Sequence, residues 1–192
     1  LTGIKNKMVD GKFIDWNEVD ALFQGVDIII AHNASFDRAF IDRFSSISPS
    51  KVWACSISDI DWLERGFTSS KQELLCYWHG FYFDAHRAMN DVDALIHLLT
   101  FDTGLERPLL ELIKNSNKSD FIIFAEHFKY DPVKKDILKG NKYRWNPNDK
   151  IWFKKVNLDE LEHEKDWLTV TIYDQVFKGR VEEIIPSNKY KL

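Results

Sequence analysis

Two hydrophobic rhythms run through the first half of the chain. Val19, Leu22 and Phe23 recur at helical spacing, with Asn17 placed to cap the turn before them. Val26-Asp27-Ile28-Ile29-Ile30-Ala31 is a nearly continuous apolar run, which predicts a strand buried on both faces beneath helices. Phe36, Phe40, Ile41 and Phe44 then mark one face of a helix that Ser48-Pro49-Ser50 ends. Val52 to Ser56 reads as a second strand, and Asp59 to Arg65 as a helical turn or two closing near Gly66. Ser69 or Ser70 can cap a helix through Tyr77, with Gly80 just past its end. Val92, Leu95, Ile96 and Leu99 form the stripe of another helix, with Asp91 in its first turn and His86 on the loop before it.

A short helix and a polar linker follow over residues 101–119, so a domain boundary is placed near 115–120. Beyond it, Phe121 to Ala125 is a strand. Asp131-Pro132 opens a helix with Pro at its first position, and Gly140 follows its end. Residues 142–145 and 151–154 flank Asn146-Pro147-Asn148-Asp149 as the arms of a hairpin. Asp159 is read as the cap of a helix that turns Leu161, Leu168 and Ile172 inward, and Val181 to Ile185 as a closing strand. The expected organisation is an α/β layered domain over 1–117 and a small α+β domain over 118–192.

Composition narrows the function classes. The 192 residues are 44% hydrophobic and 14% aromatic, enough for packed cores, and the net charge of −4 argues against a uniformly basic nucleic-acid binder. Cys55 and Cys76 show no metal-ligand spacing and read as reduced thiols of a cytoplasmic protein. No apolar run approaches the roughly 20 residues of a membrane span. The chain opens on Leu1 rather than Met, which reads as a piece of a longer protein and leaves the lack of a signal peptide uninformative.

The candidate chemistry lies at two helix starts. Asp37 follows a buried strand, and Asp91 stands five residues after His86. In α/β sheets, sites form where strands end and helices begin. Carboxylates gathered there suit one or two Mg²⁺ or Mn²⁺ ions, and such ions suit phosphate substrates. A neutral histidine nearby can take a proton from an attacking water. Each residue also has a plain structural role. Either aspartate alone could complement a helix dipole, His86 could be a surface histidine, and His32 and Asn33 could close the strand end. Phe36 divides evenly between core packing and stacking on a base.

The words around these residues carry a resemblance. His32-Asn33-Ala34-Ser35-Phe36-Asp37 resembles the second motif of the DEDD exonucleases, and His86-Arg87-Ala88-Met89-Asn90-Asp91 the third motif of their DEDDh branch. Residues 1–100 are similar to the proofreading subunits of bacterial DNA polymerase III and their stand-alone relatives. The resemblance implies a ribonuclease-H-like fold and 3′–5′ hydrolysis of terminal phosphodiesters to nucleoside monophosphates. By it, Asp91 binds metal directly, Asp37 acts through a metal-bound water, and His86 is the general base. The same resemblance implies that Thr2, His32, Asn33 and Phe36 line the nucleotide pocket. The implied substrates are single-stranded or frayed 3′ ends of DNA, with RNA as the alternative, and a DNA polymerase subunit is a further expected partner. The family's first motif, an Asp-x-Glu on the first strand, has no counterpart here. The two-metal site is therefore expected to be incomplete, and the 192 residues alone inactive. The competing reading is a non-catalytic nucleic-acid- or partner-binding protein on a degenerate nuclease fold. A sheet without its first strands would expose an apolar edge, so a homodimer or a strand rearrangement is also expected.

The second domain carries its own charge signal. From Lys129 to Val156, eight lysines and one arginine stand against three aspartates, a net +6, with Tyr143, Trp145, Trp152 and Phe153 interleaved. That pattern suits single-stranded nucleic acid. It equally suits a hairpin whose tryptophans form a core and whose lysines are a solvated rim, and this second reading is favoured because one face of a ribbon must be buried.

Overall fold

Two parallel strands, β1 (Ile28–Ala31) and β2 (Val52–Cys55), centre the first half of the chain, in the register Ile28 to Val52 through Ala31 to Cys55. The computed structural model describes residues 3–101, 104 and 106–191. Internal contacts divide the chain into two units: Leu1–Asn117 with Tyr190–Leu192, and Lys118–Lys189. The architecture is mixed α/β, with eight α-helices and two sheets among the described residues.

In the first unit, α1 (Asn6–Val9) and α2 (Trp16–Gln24) precede β1, and α3 (Ala34–Ile41) joins β1 to β2. The cap of α2 is Asp15, not Asn17: its Oδ1 accepts from the backbone N–H of Asn17 at 2.9 Å. After β2 come turns over residues 56–66, then α4 (Gln72–Trp78), α5 (Ala88–Thr100) and α6 (Pro108–Ser116). No side chain caps α4, although Ser69 Oγ accepts from the Lys71 N–H just before it. The main core joins Ala54, Trp62, Leu75, Leu98 and Leu112. A smaller cluster joins Ala34, Trp53 and Cys55, and Tyr190 packs against it, so the last turn of the chain returns to the first unit. Both cysteines are free and buried.

Three expected apolar faces are placed differently. β1 is half-buried along its whole length, because among the described residues it pairs with β2 alone and its other edge has no strand. The inward face of α3 is Ala34 and Arg38, while Phe36, Phe40 and Phe44 are exposed. Arg38 can be buried there because its Nε lies 3.0 Å from Asp42 Oδ2, an Nη donates to the Pro49 carbonyl at 3.2 Å, and its guanidinium lies 5.8 Å from the Trp53 ring. Phe40 and Phe44 pack instead against Trp16, with the Phe44 ring stacked on it at 5.0 Å. In α5 the buried stripe is Ala94, Leu95, Leu98 and Leu99, turned towards α4 and α6, which leaves Val92 and Ile96 about half exposed.

The second unit is β3 (Asp120–Ala125), α7 (Pro132–Gly140), β4 (Arg144–Asn146), β5 (Ile151–Asn157), α8 (Leu158–Thr171) and β6 (Arg180–Ile184). Its strands form one antiparallel sheet in the order β4-β5-β3-β6. Asn157, rather than Asp159, caps α8 in a reciprocal capping box with Glu160. Ile123, Ala125, Leu138, Tyr143, Trp152, Val156, Leu168 and Ile172 make the core. Tyr143 and Trp152 are therefore structural, while Trp145 stays half exposed beside Trp152 at 5.4 Å. Among the described residues no helix is long and apolar enough to cross a membrane.

Candidate functional site

The strand-to-helix turn after β1 is made in two residues. The strand ends at Ala31, His32 and Asn33 form the turn with Asn33 in the left-handed conformation at φ 67°, and Ala34 begins α3. Asparagine is among the few residues that accept this region at small cost. The abrupt turn places Asp37 in the first turn of α3. On the other side, Asp91 lies in the first turn of α5, and His86 precedes that helix with φ 68°. One carboxylate organises this loop: Asp91 Oδ1 accepts from the backbone N–H of His86 at 3.2 Å. Gln72 at the start of α4 donates its side-chain amide to the Asp91 carbonyl at 2.6 Å, tying the two helix starts together.

A cleft of about 700 Å³ gathers these groups: His32, Phe36, Asp37, His86 and Asp91 all line it. Ile29, Ile30, Val92 and Leu95 supply apolar walls. Of the other expected pocket residues, Asn33 is exposed and shapes the turn without lining the cleft, and Thr2 lies outside the described residues. Phe36 is 75% exposed, so it is no core residue. His32 Nδ1 shares a 2.8 Å hydrogen bond with Ser56 Oγ, which fixes the ring. Burial holds the His32 imidazole below its ordinary pKa, and the charge of Asp91 opposes that shift. Burial also pushes the Asp37 carboxyl above the usual aspartate value. A half-buried carboxylate that resists ionisation is one that a cation would favour. His86 is exposed, with Nε2 4.0 Å from Glu73 Oε1.

The oxygen donors are of the kind that hard cations take. Mg²⁺ takes about six oxygens in octahedral geometry, with waters filling the positions that one or two carboxylates leave. Asp37 and Asp91 are the aspartates lining the cleft, and among the described residues no three His, Cys, Asp or Glu side chains come together to hold a metal. The donor set does not make a cation site by itself. What the arrangement can do is seat a planar group on Phe36, offer two imidazoles for proton exchange, and hold the carboxylates of Asp37, Glu73 and Asp91 along one space.

Sequence reasoning missed Lys71, Gln72 and Glu73, which line the cleft from α4. They sit 18 to 20 residues before Asp91, inside a stretch whose only sequence signal is a helix start. Ser56 was legible as a strand end but not as the partner of His32. No family model matches this chain, and no curated protein or solved structure matches it either.

Proposed function

We propose that the first unit is part of a ribonuclease-H-like 3′–5′ exonuclease site of the DEDDh kind, and that the cleft receives the 3′-terminal nucleotide of a single strand. The observation that supports this reading is the meeting of His32, Phe36, Asp37, His86 and Asp91, drawn from two separate motifs, around one cleft. Phe36 stacks on the terminal base, His32 lines the pocket beside it, and Asn33 sets the turn between them. His86 takes the proton from a water that attacks the terminal phosphorus. The bond from phosphorus to the 3′ oxygen of the preceding nucleotide breaks, and a nucleoside monophosphate leaves. Mg²⁺ or Mn²⁺ are the ions such carboxylates suit. Two aspartates are fewer than two ions require, so the 192-residue chain is expected to bind nucleotide without hydrolysing DNA. DNA is the favoured substrate and RNA the alternative.

Titration of the chain with thymidine 5′-monophosphate, followed by NMR of the histidine rings, tests this. The His32 and His86 signals should move while those of His127 and His163, in the second unit, stay. Unmoved His32 and His86 signals at saturating nucleotide would reject the pocket. Degradation of a labelled single strand by the chain with Mg²⁺ would reject the incomplete site. The shortage of carboxylates favours one second reading, a binding protein on a degenerate nuclease fold. It shares the nucleotide shifts, but predicts that supplying the missing carboxylates by engineering restores no turnover.

A further inference from the structure

The sheet of the second unit has one face packed under α7 and α8 and one face bare of these helices, on which Ile122, Phe124 and Phe153 are half-buried, Ile151 is buried and Lys155 is exposed. Successive residues of a strand point to opposite faces. Ile123, Ala125, Trp152 and Val156 point towards α7 and α8 and join Leu138, Leu168 and Ile172 in the core. The alternate residues Ile122, Phe124, Phe153 and Lys155 therefore stand on the other face, and none of them belongs to that core or packs against it. The register aligns four of the bare-face side chains in a single row. Arg144 on β4 pairs with Phe153 on β5, Phe153 with Phe124 on β3, and Phe124 with Arg180 on β6. The row reads cation, aromatic, aromatic, cation across the sheet. Lys155 lies one step along on the same face, beside Ile122.

We propose that this bare face binds single-stranded nucleic acid. Two bases stack on Phe124 and Phe153, whose side chains are direct cross-strand neighbours about 5 Å apart at Cβ. Arg144, Lys155 and Arg180 take the flanking phosphates. The Arg180 guanidinium already lies over the Phe124 ring, 3.9 Å from its centroid. That marks the ring as a surface on which a flat group stacks. A base takes this place, and the guanidinium turns to the phosphate beside it. Asp120 and Glu182 hold Lys155 and Arg180 on the face in ion pairs. Arg144, Lys142 and Lys150 make no ion pair among the described residues and are open to phosphate at the hairpin edge. On the face itself Arg144, Lys155 and Arg180 stand against Asp120 and Glu182. The element order β-α-β-β-α-β is the split β-α-β arrangement, and one class of single-strand RNA binders carries bases on the open sheet of a four-stranded domain. Fold does not imply function; the row of side chains carries the inference. Stacking of this sort tolerates any base, so the face is expected to show little sequence preference. The inference stands on a different unit from the cleft and does not depend on the exonuclease reading.

The test uses the whole 192-residue chain with fluorescein-labelled oligothymidylate and oligouridylate of about 12 nucleotides, enough to cross one such face, in EDTA. Anisotropy should report binding that weakens steeply as salt rises. Phe124→Leu and Phe153→Leu keep apolar volume and remove the ring, and each should weaken binding about five- to 100-fold. The exposed Arg144→Gln should lower the salt slope by about one. Ultraviolet cross-linking of the unaltered chain should map to peptides containing Phe124 or Phe153, and this arm needs no variant to fold. No binding by the parent overturns the proposal. So does binding that both leucine variants retain in full, with cross-links mapping only to peptides of the first unit, which would place the strand there. Equal competition by polyglutamate, with the leucine variants unaffected, would make the face a site for acidic protein instead.

Discussion

The two sheets of this chain solve the same problem to different degrees. In the second unit, β3 and β5 are each paired on both edges, and one face is sealed by α7 and α8. In the first unit, β1 is paired on one edge, is half-buried throughout, and borders a cleft of about 700 Å³. Against the core side of the complete sheet, Lys154 is held in a tight pair with Glu164 at 2.6 Å. The partial sheet keeps Asp37 and Asp91 beside space. A strand end with incomplete cover is where carboxylates can meet a ligand rather than each other's counter-ions. The candidate chemistry therefore lies in the less finished sheet, and the bare face of the finished one offers rings and cations instead.

The largest expected effect tests whether the first unit depends on one buried charge. Arg38 is fully buried, and its partners include Asp42, the Pro49 carbonyl and the Trp53 ring. Arg38→Met should cost about 3–5 kcal/mol, because Asp42 and the carbonyl lose their donor in a largely dry site. Hydrogen exchange read by mass spectrometry should show the loss in residues 3–101 and leave the second unit protected. Equal loss of protection in both units would mean that they fold as one, which would erase the contrast drawn here.

In the second unit the most sensitive backbone point is Gly179. A Cβ there would lie 2.5 Å from the Phe124 carbonyl oxygen and 2.8 Å from the Phe177 ring. Backbone cannot give way as a long side chain does, so Gly179→Ala should cost about 1–3 kcal/mol and part β6 from β3. Denaturant melts of the variant and parent measure it. A neutral result would show that the edge of the better-paired sheet is softer than its register suggests.

Much of this contrast was legible along the chain, but unevenly. All six strands and the principal helices fall where apolar period and turn residues place them, because those signals are local. Helix orientation was not legible where a charged residue lies inward. Three phenylalanines at helical spacing marked a face of α3, yet the buried position is Arg38, whose partners sit up to 15 residues further on at Asp42, Pro49 and Trp53. The same limit hid Lys71, Gln72 and Glu73, since nothing near them in sequence reveals the Gln72 amide bound to the Asp91 carbonyl. Phe124 was hidden for another reason. Within an unbroken apolar strand no alternation separates the covered face from the bare one, and only pairing with Phe153 and Arg180 does so.

The smallest expected effect is a pH dependence confined to the cleft, and its two sides have opposite signs. Burial raises the Asp37 carboxyl above its model-peptide value of 3.8. A group raised on folding contributes stability that is full below the unfolded value and is lost as pH rises through the folded one. At neutral pH the folded state thus carries a carboxylate it would rather protonate. Asp37→Asn should melt above the parent at about pH 7, and the gap should close at about pH 3, below both values. His32 behaves conversely. Its imidazole is lowered from 6.5 by burial, so its contribution is full above that value and is lost as pH falls through the folded one. His32→Asn should flatten the acid limb of the stability profile and leave the neutral side in place. Both changes belong to the first unit, so hydrogen exchange in Lys118–Lys189 should follow the parent at every pH. If Asp37→Asn lowers stability at pH 7, the carboxylate is already compensated by groups within the cleft. The argument that it awaits a cation would then fail, and with it the idea that the unfinished sheet holds its chemistry in reserve.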